Sequence, residues 1–273
     1  ISHKYRFLFI GLPFSASSAI SKDLYAKYEG LPYLRKHSLY HEFKKVATIK
    51  EKKYFVFAVL RNPMEIAVTV YEKMRANAKG NFANPDLFKE NGGHITKNHL
   101  LKFNFIQKNN ATFREYFLKF HTKPYDNLSS MTLDNCDFVI RYENIAEDYL
   151  KALINAGVEN PSPLPVANKT ANKKKDLADY YTEDIKRQAI HVFGPFLNKY
   201  NYSFPQDWGK VETPLISKIQ FKIMGILRKM NEKYLKKYSS RKSIEGSIYG
   251  DMQRKHKSQW IINGIAYDKK EVS

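Results

Sequence analysis

Three stretches of the chain carry residue types suited to a phosphorylated ligand, and each follows directly on an apolar run. The first is Gly11-Leu12-Pro13-Phe14-Ser15-Ala16-Ser17-Ser18. Small residues let a backbone curl so that successive N–H groups point inward where a helix begins, and such a nest binds phosphate. The hydroxyls of Ser15, Ser17 and Ser18 add donors, although a serine-rich helix start is more often only a cap. No Gly-Lys-Ser/Thr is present, so this is not a Walker A loop. The second stretch is Arg61-Asn62-Pro63, with Thr69 two turns along the helix that Pro63 opens. Guanidinium plus hydroxyl suits a second phosphate; an ion pair of Arg61 with Glu65 fits the sequence equally well. The third is Arg141-Tyr142-Glu143-Asn144. A carboxylate at the carboxyl end of a strand can orient a ligand or a basic residue, but a structural ion pair explains a lone Glu143 more simply.

The apolar runs that position these stretches are Tyr5–Ile10, Tyr54–Leu60 and Phe138–Arg141. Each is rich in aromatic or β-branched residues, and a polar turn and a helical pattern follow. Strand–turn–helix units at wide spacing predict an α/β fold, with a central parallel sheet flanked by helices. Ligands in such sheets bind beyond the carboxyl ends of the strands. Helices are expected over 17–27, 64–75, 100–107, 112–121, 147–155 and 183–200, the last capped by Thr182 and bent or broken at Gly194-Pro195. Residues 77–93 and 160–175 read as long loops. After Trp208 the chain changes character. Leu215, Ile219, Ile223, Leu227, Met230 and Tyr234 recur at helical spacing among lysines and arginines, which predicts a basic amphipathic helix. The expected division is therefore an α/β domain over 1–208 and a basic helical extension over 209–273. Docking of that helix on the main domain is the first expectation, and peripheral membrane contact the second.

The 273 residues are 43% hydrophobic, enough for a sizeable core, and carry a formal net charge of +19. Such a field attracts nucleotides, other polyanions or anionic lipid without choosing among them. The single cysteine, Cys136, excludes an internal disulfide and reads as a half-buried thiol. His3, His41 and His121 lack ligand-like spacing with Cys or carboxylates, so no metal is expected. No nucleic-acid motif accompanies the charge, and no nucleic-acid partner is expected.

In their order and placement, the three stretches resemble the sulfotransferase family that uses 3'-phosphoadenylyl sulfate (PAPS), especially its carbohydrate-type branch. In that family a strand leads into a Pro-Lys-Thr/Ser-Gly-Thr/Ser-Thr/Ser loop that binds the 5'-phosphosulfate, matched by Pro13, Phe14, Ser15, Ala16, Ser17 and Ser18. A second strand ends in Arg-x-Pro with Ser or Thr eight positions after the Arg, binding the 3'-phosphate; Arg61 and Thr69 match it. A later strand ends in Arg-Tyr-Glu, matched by Arg141-Tyr142-Glu143, and Tyr202-Ser203-Phe204-Pro205 resembles the family's aromatic-Pro ending. The resemblance spans about residues 5–208. It implies a P-loop-like fold, PAPS as sulfonate donor, no metal, and an acceptor hydroxyl, on a glycan in that branch. One position departs: the family's loop lysine, which bridges the transferring sulfonate and the leaving phosphate, is Phe14 here. Lys36 and His37 in Arg35-Lys36-His37-Ser38 are the nearest replacements, with Lys169 a second source of charge, and His37 is the first candidate for catalytic base. A soluble cytoplasmic protein is the working expectation, and the resemblance keeps the Golgi lumen open if an N-terminal anchor has been removed. Because phenylalanine cannot neutralise the developing charge, a non-catalytic nucleotide- or polyanion-binding module is the alternative. A nucleotide kinase would require the missing lysine and a magnesium ligand, and a charge-driven nucleic-acid binder would show little preference for a 3'-phosphate.

Overall fold

The computed structural model describes residues 1–34, 36–125, 130–165, 176–235, 261–262 and 265–266. The chain forms an α/β structure divided between two compact units. One holds the described residues of 1–61 and 130–165 with the tail residues 261–262 and 265–266, and the other holds residues 62–125 and 176–235.

The first unit is built on a parallel sheet of β1 (Phe7–Ile10), β2 (Phe55–Leu60) and β3 (Phe138–Arg141), in the order β1-β2-β3. Registers of Phe9 with Phe57 and of Val59 with Ile140 put alternate side chains on one face. There Phe7, Phe57, Val59 and Ile140 pack with Ile20 and Leu24 of α1 (Ser17–Lys27) and with Tyr149 and Leu153 of α7 (Ile145–Asn155). Leu8, Val56, Ala58 and Leu60, on the opposite face, are also buried, as expected of a parallel sheet. Two expected boundaries shift. The run from Tyr5 becomes a strand only at Phe7, because Arg6 takes a left-handed backbone (φ 52°) and Ser2–Phe7 close a tight turn on themselves. Tyr54 instead ends a 3-10 turn over Glu51–Lys53. The short helices α2 (Tyr40–Val46) and α6 (Ser130–Leu133) were not foreseen from periodicity; α6 packs on β2, and the Tyr40 amide donates to Thr132 Oγ1.

The second unit is helical: α3 (Pro63–Arg75), α4 (Lys97–Asn109), α5 (Phe113–Phe120), α8 (Glu183–Lys199) and α9 (Leu215–Met230). Its core joins Met64, Val68 and Tyr71 of α3 to Phe113 and Phe117 of α5 and Ile185 and Phe193 of α8. Of the bend or break expected at Gly194-Pro195, the break does not occur, and α8 runs through both residues. Burial over 192–197 holds the defect in place, and Gly194 backs so closely onto Thr213 that an added Cβ would lie 2.4 Å from its Oγ1. The expected loop over 77–93 contains three single 3-10 turns. Among the described residues no helix is long and apolar enough to cross a membrane.

His121, just beyond α5, stacks on Phe117 at 4.9 Å, and its Nε2 is buried without a hydrogen-bond partner. Burial, reinforced by Lys102, pushes its pKa down from 6.5 to about 3. The unfolded chain therefore takes up a proton here before the folded chain does, and stability is lost as pH falls from about 6.5 toward 3. Between pH 7 and 5 this one group destabilises the fold by about 2 kcal/mol. The variant His121→Phe, which keeps the ring stacking, is expected to remove that part of the fall in urea-unfolding free energy over this interval.

Candidate active site

The chain leaves β1 at Ile10 and must reverse into α1 within six residues. Phe14 (φ 61°) and Ala16 (φ 54°) both adopt the left-handed conformation, which costs on the order of 1–3 kcal/mol for each non-glycine residue. Left-handed Ala16 followed by helical Ser17 is the alternation that turns successive N–H groups to one side. Gly11 permits the tight return, since a Cβ there would sit 3.0 Å from Ser17 Cβ. No side chain caps α1, and its first turn carries no acidic residue, so the positive end of the helix is not offset by its own sequence.

The serines of this turn divide by role. Ser15 is buried, and its hydroxyl donates to the Leu12 carbonyl at 2.6 Å, stapling the turn. Ser17 is buried at the helix start, while Ser18 is half-exposed and accepts a hydrogen bond from Lys36 Nζ at 2.9 Å. Pro13 is exposed, and so is Phe14, at 40%.

Two cations, Arg61 and Lys36, and the imidazole of His37, all of the same unit, converge on this turn. Arg61, at the end of β2, is buried; its guanidinium donates to the Phe14 carbonyl at 3.1 Å and lies 4.2 Å over the Tyr142 ring. Lys36 reaches Ser18 from the segment after α1. His37 Nδ1 is hydrogen bonded to the Gly11 carbonyl. A carbonyl only accepts, so Nδ1 carries the proton and Nε2 is the ring's acceptor nitrogen. A cavity of about 70 Å³ adjoins the turn, lined by Gly11, Ser17, Lys36 and His37 together with apolar residues such as Leu24 and Tyr33.

Thr69 belongs to α3 of the second unit, where its hydroxyl is buried with no hydrogen-bond partner. Lys169 lies outside the described residues, as does Arg35. In Arg141-Tyr142-Glu143, the tyrosine meets the site by stacking on Arg61, while Glu143 is exposed. The sequence holds one signal for that stack: an aromatic residue and an arginine both stand just past neighbouring strand ends. Cys136 is half-buried, its thiol pushed up to about 12 by burial and then by Asp137 and Asp134, which disfavours the thiolate. Among the described residues, no group of three or more His, Cys, Asp or Glu side chains is placed to hold a metal ion.

The two serine roles give a direct contrast. Ser15→Ala leaves the buried Leu12 carbonyl without its partner and is expected to cost about 1–3 kcal/mol in urea unfolding. Ser18→Ala is expected to change stability by no more than about 0.5 kcal/mol. Comparison of the chain with protein-family models, with curated proteins and with solved structures finds no match in any of the three.

Proposed function

We propose that the protein is a PAPS-dependent sulfotransferase of P-loop-like fold, with the turn 13–18 as the seat of the 5'-phosphosulfate. One observation carries this reading. An uncapped helix start follows a left-handed turn directly after a parallel strand, and Arg61, Lys36 and His37 are drawn to it. These residues fit a multiply charged anion by their chemistry: amides that lack a capping side chain, a buried guanidinium and an ammonium. The bound donor supplies a sulfonate whose bond to the leaving phosphate breaks as an acceptor oxygen attacks sulfur in line. Such a displacement needs positioning and charge stabilisation more than covalent help.

The protein's own groups divide these tasks. The amides at the start of α1 and the Ser18 hydroxyl hold the anion. Arg61, which ties the turn to β2 through the Phe14 carbonyl, serves the 3'-phosphate. Lys36 carries the positive charge that Phe14 cannot, a role supported by its hydrogen bond to Ser18 in the same turn. The Nδ1–H of His37 is engaged with Gly11, so Nε2 is the atom to take the acceptor proton. The small adjoining cavity suits the hydroxyl-bearing end of an acceptor, with the rest of a glycan lying outside it.

Exposed Phe14 favours a second reading, a module that binds the nucleotide without transferring sulfonate. Calorimetric titration with adenosine 3',5'-bisphosphate, AMP and ATP tests the first half of the proposal. The bisphosphate is expected to bind at least about tenfold more tightly than AMP, a difference of about 1.4 kcal/mol, and that preference is expected to vanish in Arg61→Ala, with folding checked by circular dichroism. Equal binding of all three would remove the sulfotransferase reading. Release of sulfonate from labelled PAPS, lowered at least about tenfold in Lys36→Ala, separates the enzyme from the binding module.

A further inference from the structure

Helix α9 presents an apolar face to solvent. At about 100° per residue, Leu215, Ile219, Ile223, Ile226, Leu227 and Met230 fall within an arc of about 120°, and each is between 44 and 72% exposed. The opposite, narrower face carries the packing. Ser217 is buried and its Oγ meets His191 Nδ1 of α8 at 2.7 Å, while Phe221 and Met224 are half-buried. Packing against α8 thus leaves the whole apolar arc uncovered.

Lys218, Lys222 and Lys229 form a row along one border of that arc, all exposed, and no Asp or Glu occurs between Leu215 and Met230. At 1.5 Å per residue the helix is about 24 Å long, and it is neither long nor apolar enough to cross a bilayer. A uniform apolar stripe beside a row of lysines suits the plane where headgroups meet acyl chains, with the lysines at the anionic phosphates. Two copies packed face to face and antiparallel would bring their lysine rows to one edge, where like charges oppose that occupant. A net charge of +19 adds long-range attraction to an anionic surface.

We infer that α9 is a membrane-surface anchor that lies in the interface of an anionic bilayer through Ile219, Ile223, Ile226 and Met230. The inference is independent of the activity proposed above. It is tested by co-sedimentation of the full chain with vesicles of phosphatidylcholine alone and of phosphatidylcholine with phosphatidylserine. Binding to the phosphatidylserine vesicles is expected to be at least about tenfold stronger and to weaken with added salt. The double variant Ile219→Glu/Ile223→Glu, whose substitutions lie on the exposed face, is expected to keep its thermal melt and lose at least about tenfold in binding. Replacing Lys218, Lys222 and Lys229 by Gln is expected to abolish the preference for phosphatidylserine. Absence of binding overturns the inference, and so does binding that the double Glu variant leaves unchanged, because contact would then lie elsewhere on the basic surface. A self-association in sedimentation velocity that the double Glu variant abolishes, without lipid binding, would make a second copy the occupant.

Discussion

A parallel strand that passes at once into a helix leaves the first amides of that helix without intrahelical partners, and something must satisfy them. A side-chain cap is the common solution, as Asn62 shows by accepting from the Met64 amide at the start of α3. At α1 that solution is absent. Ala16 stands at the cap position with left-handed backbone, and the one serine placed to help, Ser15, is turned inward to Leu12. The turn gives up local stability twice, in two strained residues and an uncapped helix. Strain of this kind persists only where surrounding structure holds it, and it recurs at ligand clamps. Here the holding groups are Arg61 on the Phe14 carbonyl and His37 on the Gly11 carbonyl. The arrangement gathers a guanidinium, an ammonium and an imidazole where the backbone already carries a partial positive charge.

Much of this was legible in the sequence because parallel strands are buried on both faces and read as unbroken apolar runs. Phe138–Arg141 is observed with the expected bounds, and β1 and β2 lie within theirs. What the runs could not convey was backbone conformation. Left-handed Arg6 trims β1, and nothing in the side chain of an arginine announces it. Pro195 was expected to bend or break α8; the helix is unbroken, and packing of Phe193, Phe196 and Leu197 offsets the missing hydrogen bond. Within the site, the placement of Arg61 after β2 was readable, but its stack on Tyr142 needed the neighbouring strand, which is about eighty residues away in the chain. Division of labour among the serines was likewise invisible, since Ser15 and Ser18 are chemically identical and differ only in the direction the turn gives them.

The basic character of the chain acquires structure in this account. Part of it gathers at the turn before α1, where Arg61 is buried and Lys36 reaches Ser18. Another part lines one border of the apolar face of α9. These are different uses of the same charge. Under the proposed readings, short distances and backbone dipoles at the turn would select a particular anion, whereas the lysines along α9 would act on a surface at long range and be screened by salt. The expectation that the C-terminal helix docks is met only by its narrow face, with the wide face left to solvent.

The proposed function depends on the amides at the start of α1 receiving the anion. Backbone amide chemical shifts followed during titration with adenosine 3',5'-bisphosphate address it most directly. The account predicts that the largest changes fall on residues 15–19, accompanied by the side-chain Nε–H of Arg61. Saturable binding that leaves those amides unmoved and shifts residues elsewhere would contradict it.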